Sequence, residues 1–307
     1  MKTKIENPAQ YEWGPFPFGD DGARVFDIRY DPVFKAVFTK ETAESRGALS
    51  DLISALIGRT VTVETIIANE PPVDDLRQRY LRFDIVCKTE KGEPVNVEMS
   101  FNPQASELVR LEYHAARLFT GQDMHGKTKD YDELKETYQI AILAKKTFFP
   151  DENFTHNFLY YDPDNRVSLG GRTSIITVEL VKTGPVADKP IEEMTNAELW
   201  AVFFQYLTDE EKRDKIIEII NREEGIAMAL DTLLNITQDE IEYARMSTLL
   251  KSELDWQSRE VGARREGLRE GRNEASLEIA QNLKKMGLPI TQIAEGTGLP
   301  LETITQL

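Results

Sequence analysis

Apolar and polar positions alternate with a period of two along RYLRFDIVCKTEKGEPVNVEMSF, from Arg79 to Phe101. Leu81, Phe83, Ile85 and Cys87 fall on one side of a first strand, and Arg82, Asp84, Val86 and Lys88 on the other. After Thr89-Glu90-Lys91-Gly92-Glu93, the residues Val95, Val97, Met99 and Phe101 alternate with Asn96, Glu98 and Ser100. The pattern predicts two half-buried strands joined by a Gly-containing hairpin loop. Upstream, Asp31 is placed to cap a short helix with Pro32 at its first position. Leu49, Leu52, Ile53, Leu56 and Ile57 predict a second helix that Gly58 stops, and residues 60–68 predict a strand.

Downstream, residues 106–121 read as a helix with Leu108, Leu111, Ala115 and Leu118 as its apolar stripe. Arg110, Tyr113 and Arg117 share another face of it. Residues 138–144 (YQIAILA) are mostly apolar and predict a strand buried on both faces. Residues 154–161 and 173–181 predict further strands, with Asp162-Pro163-Asp164-Asn165 as a turn. From Pro190 the period becomes helical. Thr195 or Asn196 caps a helix through Tyr206, and Thr208 to Glu211 resembles a capping box opening the next. Helical readings continue over 212–221, 224–234 and 239–254, with Trp200, Phe203 and Phe204 as core. Residues 259–273 mix arginine, glutamate and glycine. Two short helices, 290–295 and 301–307, then give the rhythm of a helix-turn-helix; a packing or dimerisation hairpin has the same pattern.

The chain of 307 residues is long for one domain. Its net charge of −16 excludes a protein that coats DNA through general basicity, so a nucleic-acid contact needs a local basic patch. The single cysteine, Cys87, excludes an internal disulfide and reads as a core thiol in a reducing, cytoplasmic setting. His114, His125 and His156 are the three histidines, and none stands at zinc-ligand spacing. No apolar run approaches a membrane span and no secretory leader is recognised. Neither a Gly-rich phosphate loop nor a nucleophile elbow occurs.

The chemistry sits in the hairpin. If Lys88 and Pro94 close the loop, Asp84 faces Glu98 with Cβ atoms about 5 Å apart. Facing carboxylates repel, and a divalent cation between them turns that repulsion into a binding site for a hard ion such as Mg²⁺. The plainer alternative is a solvated acidic face on an acidic protein.

Several ordered stretches resemble one family. Asp84 followed by Glu98-Met99-Ser100 resembles the D…E-x-Q/K core of PD-(D/E)XK nucleases. More narrowly the chain resembles the Rpn-type recombination-promoting nucleases, also described as PD-(D/E)XK family transposases. DPVFKAVF (31–38), RFDIVCKTEKGEPVNVEMS (82–100), Arg110 with Tyr113 and Gly121, IITVELVK (175–182) and the terminal GLPITQIAEGTGLPLETITQL carry the match, over roughly residues 27–307. The resemblance implies an α+β fold with a restriction-endonuclease-like mixed sheet flanked by helices, followed by a helical subdomain and a helix-turn-helix-like tail. Its divisions are expected at 1–26 (an irregular arm packing on a partner or on the body), 27–186, 187–257 and 258–307.

The implied activity is Mg²⁺-dependent DNA cleavage, with Mn²⁺ as a substitute ion. Asp84 and Glu98 are then metal ligands, and Ser100 is the third catalytic position. Serine departs from the family's usual glutamine and from the lysine of related nucleases. Lys35 or Gln104 are candidates to reach in instead, and Asp51 and Glu64 are candidates for an extra ligand. Arg110, Arg117, Arg264, Arg265 and Arg269 are candidate DNA contacts, against the alternative that they pair with nearby acids. A homodimer through the C-terminal helices is a further expectation. The competing reading is a catalytically silent family member that binds DNA or protein, or assembles.

Overall fold

The structure is a computed structural model and describes residues 14–18, 23–67, 84–124, 130–237, 240–241 and 275–306. It divides into two compact units, 1–248 and 249–307. In chain order the first unit contains β1 (Phe16–Pro17), β2 (Arg24–Val25), α1 (Asp31–Phe38), α2 (Ala43–Ile57), β3 (Val63–Ile67), β4 (Ile85–Thr89), β5 (Pro94–Ser100), α3 (Glu107–Thr120) and β6 (Thr137–Leu143). There follow β7 (Thr155–Phe158), β8 (Tyr161–Asp162), β9 (Val167–Ser168), β10 (Thr173–Glu179), α4 (Gly184–Ala187), α5 (Asn196–Tyr206), α6 (Arg213–Arg222) and α7 (Glu224–Leu234).

Six strands form one mixed sheet in the order β3-β4-β5-β6-β10-β7. β3, β4 and β5 are antiparallel neighbours, β6 runs parallel to both β5 and β10, and β7 closes the edge antiparallel to β10. This is the restriction-endonuclease-like α+β architecture.

Because side chains alternate across a strand, the sheet has two unlike faces. Ile85, Cys87, Val95, Val97, Met99, Ile140, Ile142, Ile176 and Val178 point into the main core, against residues of α1, α2, α5, α6 and α7. Burial pushes the Cys87 thiol up to about 12, as expected for a core thiol. The other face carries Val86, Ala141, Leu143 and Ile175, covered in part by Leu111 and Leu118 of α3. The hairpin was expected to be half-buried; instead every residue of β5 except Ser100 is buried, since α3 covers the polar face as well. β6 is buried along its whole length, as its apolar run predicts.

Local chemistry sets the element ends. Thr42 caps α2 by accepting from Ser45 N (3.2 Å), and Gly58 ends it in the left-handed conformation (φ 81°). Thr195 and Glu198 form a reciprocal capping box on α5. In the hairpin turn Gly92 takes φ 74°, and Gly92 N donates to Thr89 O (2.8 Å).

Some boundaries differ from expectation. Tyr30, not Asp31, precedes the first helix, because Tyr30 O already accepts from Phe34 N (3.0 Å). Asp31 instead adds negative charge to the first turn, which the helix dipole favours. α6 begins at Arg213 and not at Thr208, because Asp209 Oδ1 accepts from Glu211 N (2.9 Å) and holds a local turn there. The strand expected over 154–161 breaks after Phe158, and Tyr161 starts a separate small hairpin with Val167 and Ser168. The helix expected over 239–254 lies almost wholly outside the described residues.

Of the N-terminal arm, Phe16 pairs with Val25 and Pro17 with Arg24, and Pro17 O accepts from the Arg213 guanidinium (3.0 Å). Val25 is fully buried, so the described part of the arm packs on the body. Residues 196–234, read as part of a separate subdomain, supply Trp200, Phe203, Phe204, Ile226 and Leu233 to the same core as α1 and α2.

The second unit is described over 275–306. Residues 275–285 are helical, followed by α9 (Ile290–Thr297) and α10 (Leu301–Gln306); we label the first of these α8. Ala280, Ile293 and Ile304, one from each helix, are fully buried together. Lys284 Nζ donates to the carbonyls of Ile304 (2.9 Å) and Thr305 (3.0 Å), closing the end of α10.

α2 and α7 approach closely at Gly225, where a Cβ would stand 2.4 Å from Asp51 Cβ, Cγ and Oδ2. Gly225→Ala is expected to lower the urea-unfolding free energy by about 1–3 kcal/mol, since overpacking here displaces a helix. Gly47→Ala meets only the end of the Met228 side chain (sulfur at 2.5 Å), a flexible tip that rotates aside, and is expected to cost less than half as much. Asp51 itself accepts from the Trp200 indole N–H (2.7 Å). Burial raises its pKa, and the hydrogen bonds from Trp200 and Glu223 offset this only in part. A raised folded-state pKa means that the native state holds the proton more tightly, so this group's contribution to stability falls as pH rises through and above the ordinary aspartate value. Asp51→Asn keeps the acceptor for Trp200 and removes the charge. The variant is expected to lose less stability than wild type between pH 4 and pH 7, measured by urea denaturation across that range.

Candidate active site

The register of the central hairpin decides where its carboxylates meet. Lys88 pairs with Pro94, Val86 with Asn96 and Ile85 with Val97. One further step along the same ladder sets Asp84 against Glu98. Both side chains are buried, at 1% and 0% exposure. They are therefore not members of a solvated acidic face, and each charge needs a local partner.

The partners come from helices on different sides. Lys35, on α1, places Nζ 3.2 Å from Asp84 Oδ1, and both groups are buried. From α3, Arg110 reaches Glu98 Oε2 at 3.1 Å and also pairs with Glu107 one turn before it. Burial alone would lower the Arg110 pKa; the charges of Glu98 and Glu107 outweigh it and raise the value, so the guanidinium stays charged. His114, one turn beyond Arg110, bonds through Nδ1 to Glu98 Oε1. The same oxygen accepts from Asn96 Nδ2 (2.8 Å), which also donates to Gln139 Oε1 on β6 (2.9 Å).

Ser100 lies at the end of β5, two residues beyond Glu98 and on the same face, and it is partly exposed. Its carbonyl accepts from Ala144 N (2.9 Å), which brings the start of the β6–β7 connection beside it. That connection carries exposed Lys145 and Lys146, with Lys145 Nζ 4.0 Å from the centre of the Phe101 ring. Buried Glu179, in the cross-strand row of Leu143 and Ser100, accepts from the Phe148 and Phe149 amides and pairs with Lys182. Lys182 in turn donates to the carbonyls of Phe149 (3.0 Å) and Asn153 (3.2 Å), so the connection is tied down.

Of the residues singled out in the sequence, Asp84, Glu98, Lys35 and Arg110 come together, with Ser100 beside them. Asp51 lies against Trp200 and Gly225 between helices. Glu64 is exposed at the hairpin-turn end of β3, near Lys88 and Thr89. Gln104 is exposed and folds back on Asn102 O (3.0 Å). Arg117 sits two turns after Arg110 on α3, partly buried. Arg264, Arg265 and Arg269 lie outside the described residues. Sequence reasoning missed His114, Asn96, Gln139, Lys145 and Lys146. Two signals pointed to the first pair: Asn96 shares a strand face with Glu98, and His114 follows Arg110 at the i, i+4 helical spacing.

Among the described residues, no group of three or more His, Cys, Asp or Glu side chains forms a metal cage. Two hard carboxylates converging where lysine and arginine now balance their charge do suit Mg²⁺, which takes one or two protein carboxylates and completes its shell with water and substrate phosphate. No described helix is long and apolar enough to cross a membrane.

Neither curated proteins nor solved structures give a match. The family model described as PD-(D/E)XK nuclease family transposase matches residues 28–261, which spans the sheet, α3 and the buried Asp84–Glu98 pair. This chain belongs to the PD-(D/E)XK nuclease family transposases.

Proposed function

We propose that the chain is a Mg²⁺-dependent DNA endonuclease that hydrolyses phosphodiester bonds and accepts Mn²⁺ in place of Mg²⁺. Recombination, mobile-element biology or defence is the setting this fits. The observation that carries the reading is the convergence of buried Asp84 and Glu98 on one side of the hairpin with Lys35 and Arg110 against them. A fold gains no stability from a buried like-charge pair that it must neutralise from two separate helices. A functional site explains why it is kept.

In this reading Asp84 and Glu98 hold the ion. When bound, Mg²⁺ supplies an attacking water of lowered pKa and stabilises the charge that develops on phosphate. Lys35, beside Asp84, takes the role of the lysine absent from position 100: its ammonium orients the attacking water and steadies the phosphate oxygen. Ser100 donates a hydrogen bond at the open end of β5. With Glu98 holding an ion, Arg110 would be available to phosphate, with Arg117 further along the same helix. Lys145 and Lys146 form the local basic patch that an acidic chain needs to hold DNA. The tail bearing Arg264, Arg265 and Arg269 adds DNA contacts or a homodimer contact, in a cytoplasmic protein.

A second reading is a silent family member that binds DNA or protein. Ser100 and the burial of both carboxylates against the protein's own cations favour it.

Supercoiled-plasmid cleavage at low salt separates the two. The first reading expects nicking with Mg²⁺ or Mn²⁺ that EDTA abolishes, and a loss of at least about 10²–10³ in rate for Asp84→Ala and Glu98→Ala, the scale seen when one transition-state contact is removed. Cleavage that survives both substitutions would rule this site out. Retained DNA binding with no cleavage under any metal would select the second reading, and Ser100→Gln and Ser100→Lys would then show whether that one position explains the loss.

A further inference from the structure

Glu98 is held asymmetrically. Its Oε1 accepts from two buried donors, His114 Nδ1 and Asn96 Nδ2, while Oε2 faces the Arg110 guanidinium at 3.1 Å. Arg110 is about a quarter exposed, whereas His114, Asn96 and Gln139 are buried. A carboxylate oxygen has two lone-pair directions, so two donors use its acceptor capacity.

The Asn96 amide cannot be turned round. Its nitrogen must face the Glu98 carboxylate, which only accepts, and its second proton goes to Gln139 Oε1 (2.9 Å). Across β6, β5 and α3, Asn96 thus donates both to Gln139 and to Glu98, and His114 donates to Glu98 from the other side. This geometry fixes which carboxylate oxygen is engaged by Asn96 and His114 and which is left toward the partly exposed Arg110.

We infer that His114, Asn96 and Gln139 are positioning residues that make Glu98 a one-oxygen metal ligand, through Oε2. The inference rests on the nuclease reading and deepens it by naming the ion selectivity of the site. One-oxygen ligation with waters suits the small octahedral ions Mg²⁺ and Mn²⁺. Ca²⁺ readily takes both oxygens of a carboxylate, and that mode is closed while Oε1 is engaged. His114 and Asn96 therefore set a preference for Mn²⁺ over Ca²⁺ without touching the ion.

The test is direct ion binding by the full chain, without DNA. Free Mn²⁺ is measured by electron paramagnetic resonance, and Ca²⁺ binding by calorimetry, for wild type, Glu98→Ala, His114→Phe and His114→Asn. Wild type should bind Mn²⁺, and Glu98→Ala should lose it. His114→Phe keeps the ring shape and loses the donor; its Mn²⁺ affinity should fall about 10–100-fold, as for other supports of metal ligands. Its Ca²⁺ affinity should fall less or rise, so the Mn²⁺-to-Ca²⁺ ratio drops. His114→Asn restores an N–H at the Nδ1 position and should recover most of both. Asn96→Ala should shift the ratio in the same direction, and it serves as the readout if His114→Phe lacks a native circular dichroism spectrum.

Equal losses of both ions, an unchanged His114→Phe, or His114→Asn no better than His114→Phe would overturn the inference and leave the nuclease reading standing. Wild type that binds no Mn²⁺ would bring down that reading and the inference together.

Discussion

Two carboxylates taken out of water at the open end of one hairpin are the constraint that the rest of this structure serves. Either charge alone would be costly to bury, and facing each other they add repulsion. The fold answers with cations carried on separate helices, Lys35 from α1 and Arg110 from α3. Those helices are fixed to opposite faces of the sheet by ordinary apolar packing. Val33, Phe34, Val37 and Phe38 of α1 join the main core, and Leu111 and Leu118 of α3 cover the other side. The large core is what holds the two helices in place around the charges.

Acidity is compatible with a nucleic-acid substrate only if charge is distributed unevenly. The basic groups around the site end of the sheet are few but grouped: Arg110 on α3, and Lys145 and Lys146 on a connection held by Glu179 and Lys182. Fixing that connection through Glu179 and Lys182 places two exposed lysines beside the Ser100 end of β5. On the proposed reading, placement, more than net charge, governs where DNA would approach.

Much of this was legible in the sequence because its signals are local. Period-two alternation located β4 and β5, the mostly apolar run located β6, and Gly58 marked the end of α2. The register followed from loop length, since closing the turn at Lys88 and Pro94 leaves Asp84 and Glu98 one position to meet. What was not legible depends on packing between distant segments. Nothing in the strand pattern says that α3 covers the polar face, so Glu98 looked half-exposed and is fully buried. Asp51 offered the right chemistry at the wrong place, drawn to the Trp200 indole 149 residues away. The start of α6 shifted because a single aspartate, Asp209, found a backbone amide of its own.

The most direct test of this account is a double-mutant cycle on Lys35 and Asp84, read by urea denaturation without metal. If the pair is what permits a buried carboxylate here, Lys35→Met and Asp84→Asn should each cost about 3–5 kcal/mol, because each strands a buried charge. The double variant should then lose much less than the sum of the two. Losses that add to within about 0.5 kcal/mol would show the two side chains to be independent and would contradict the account.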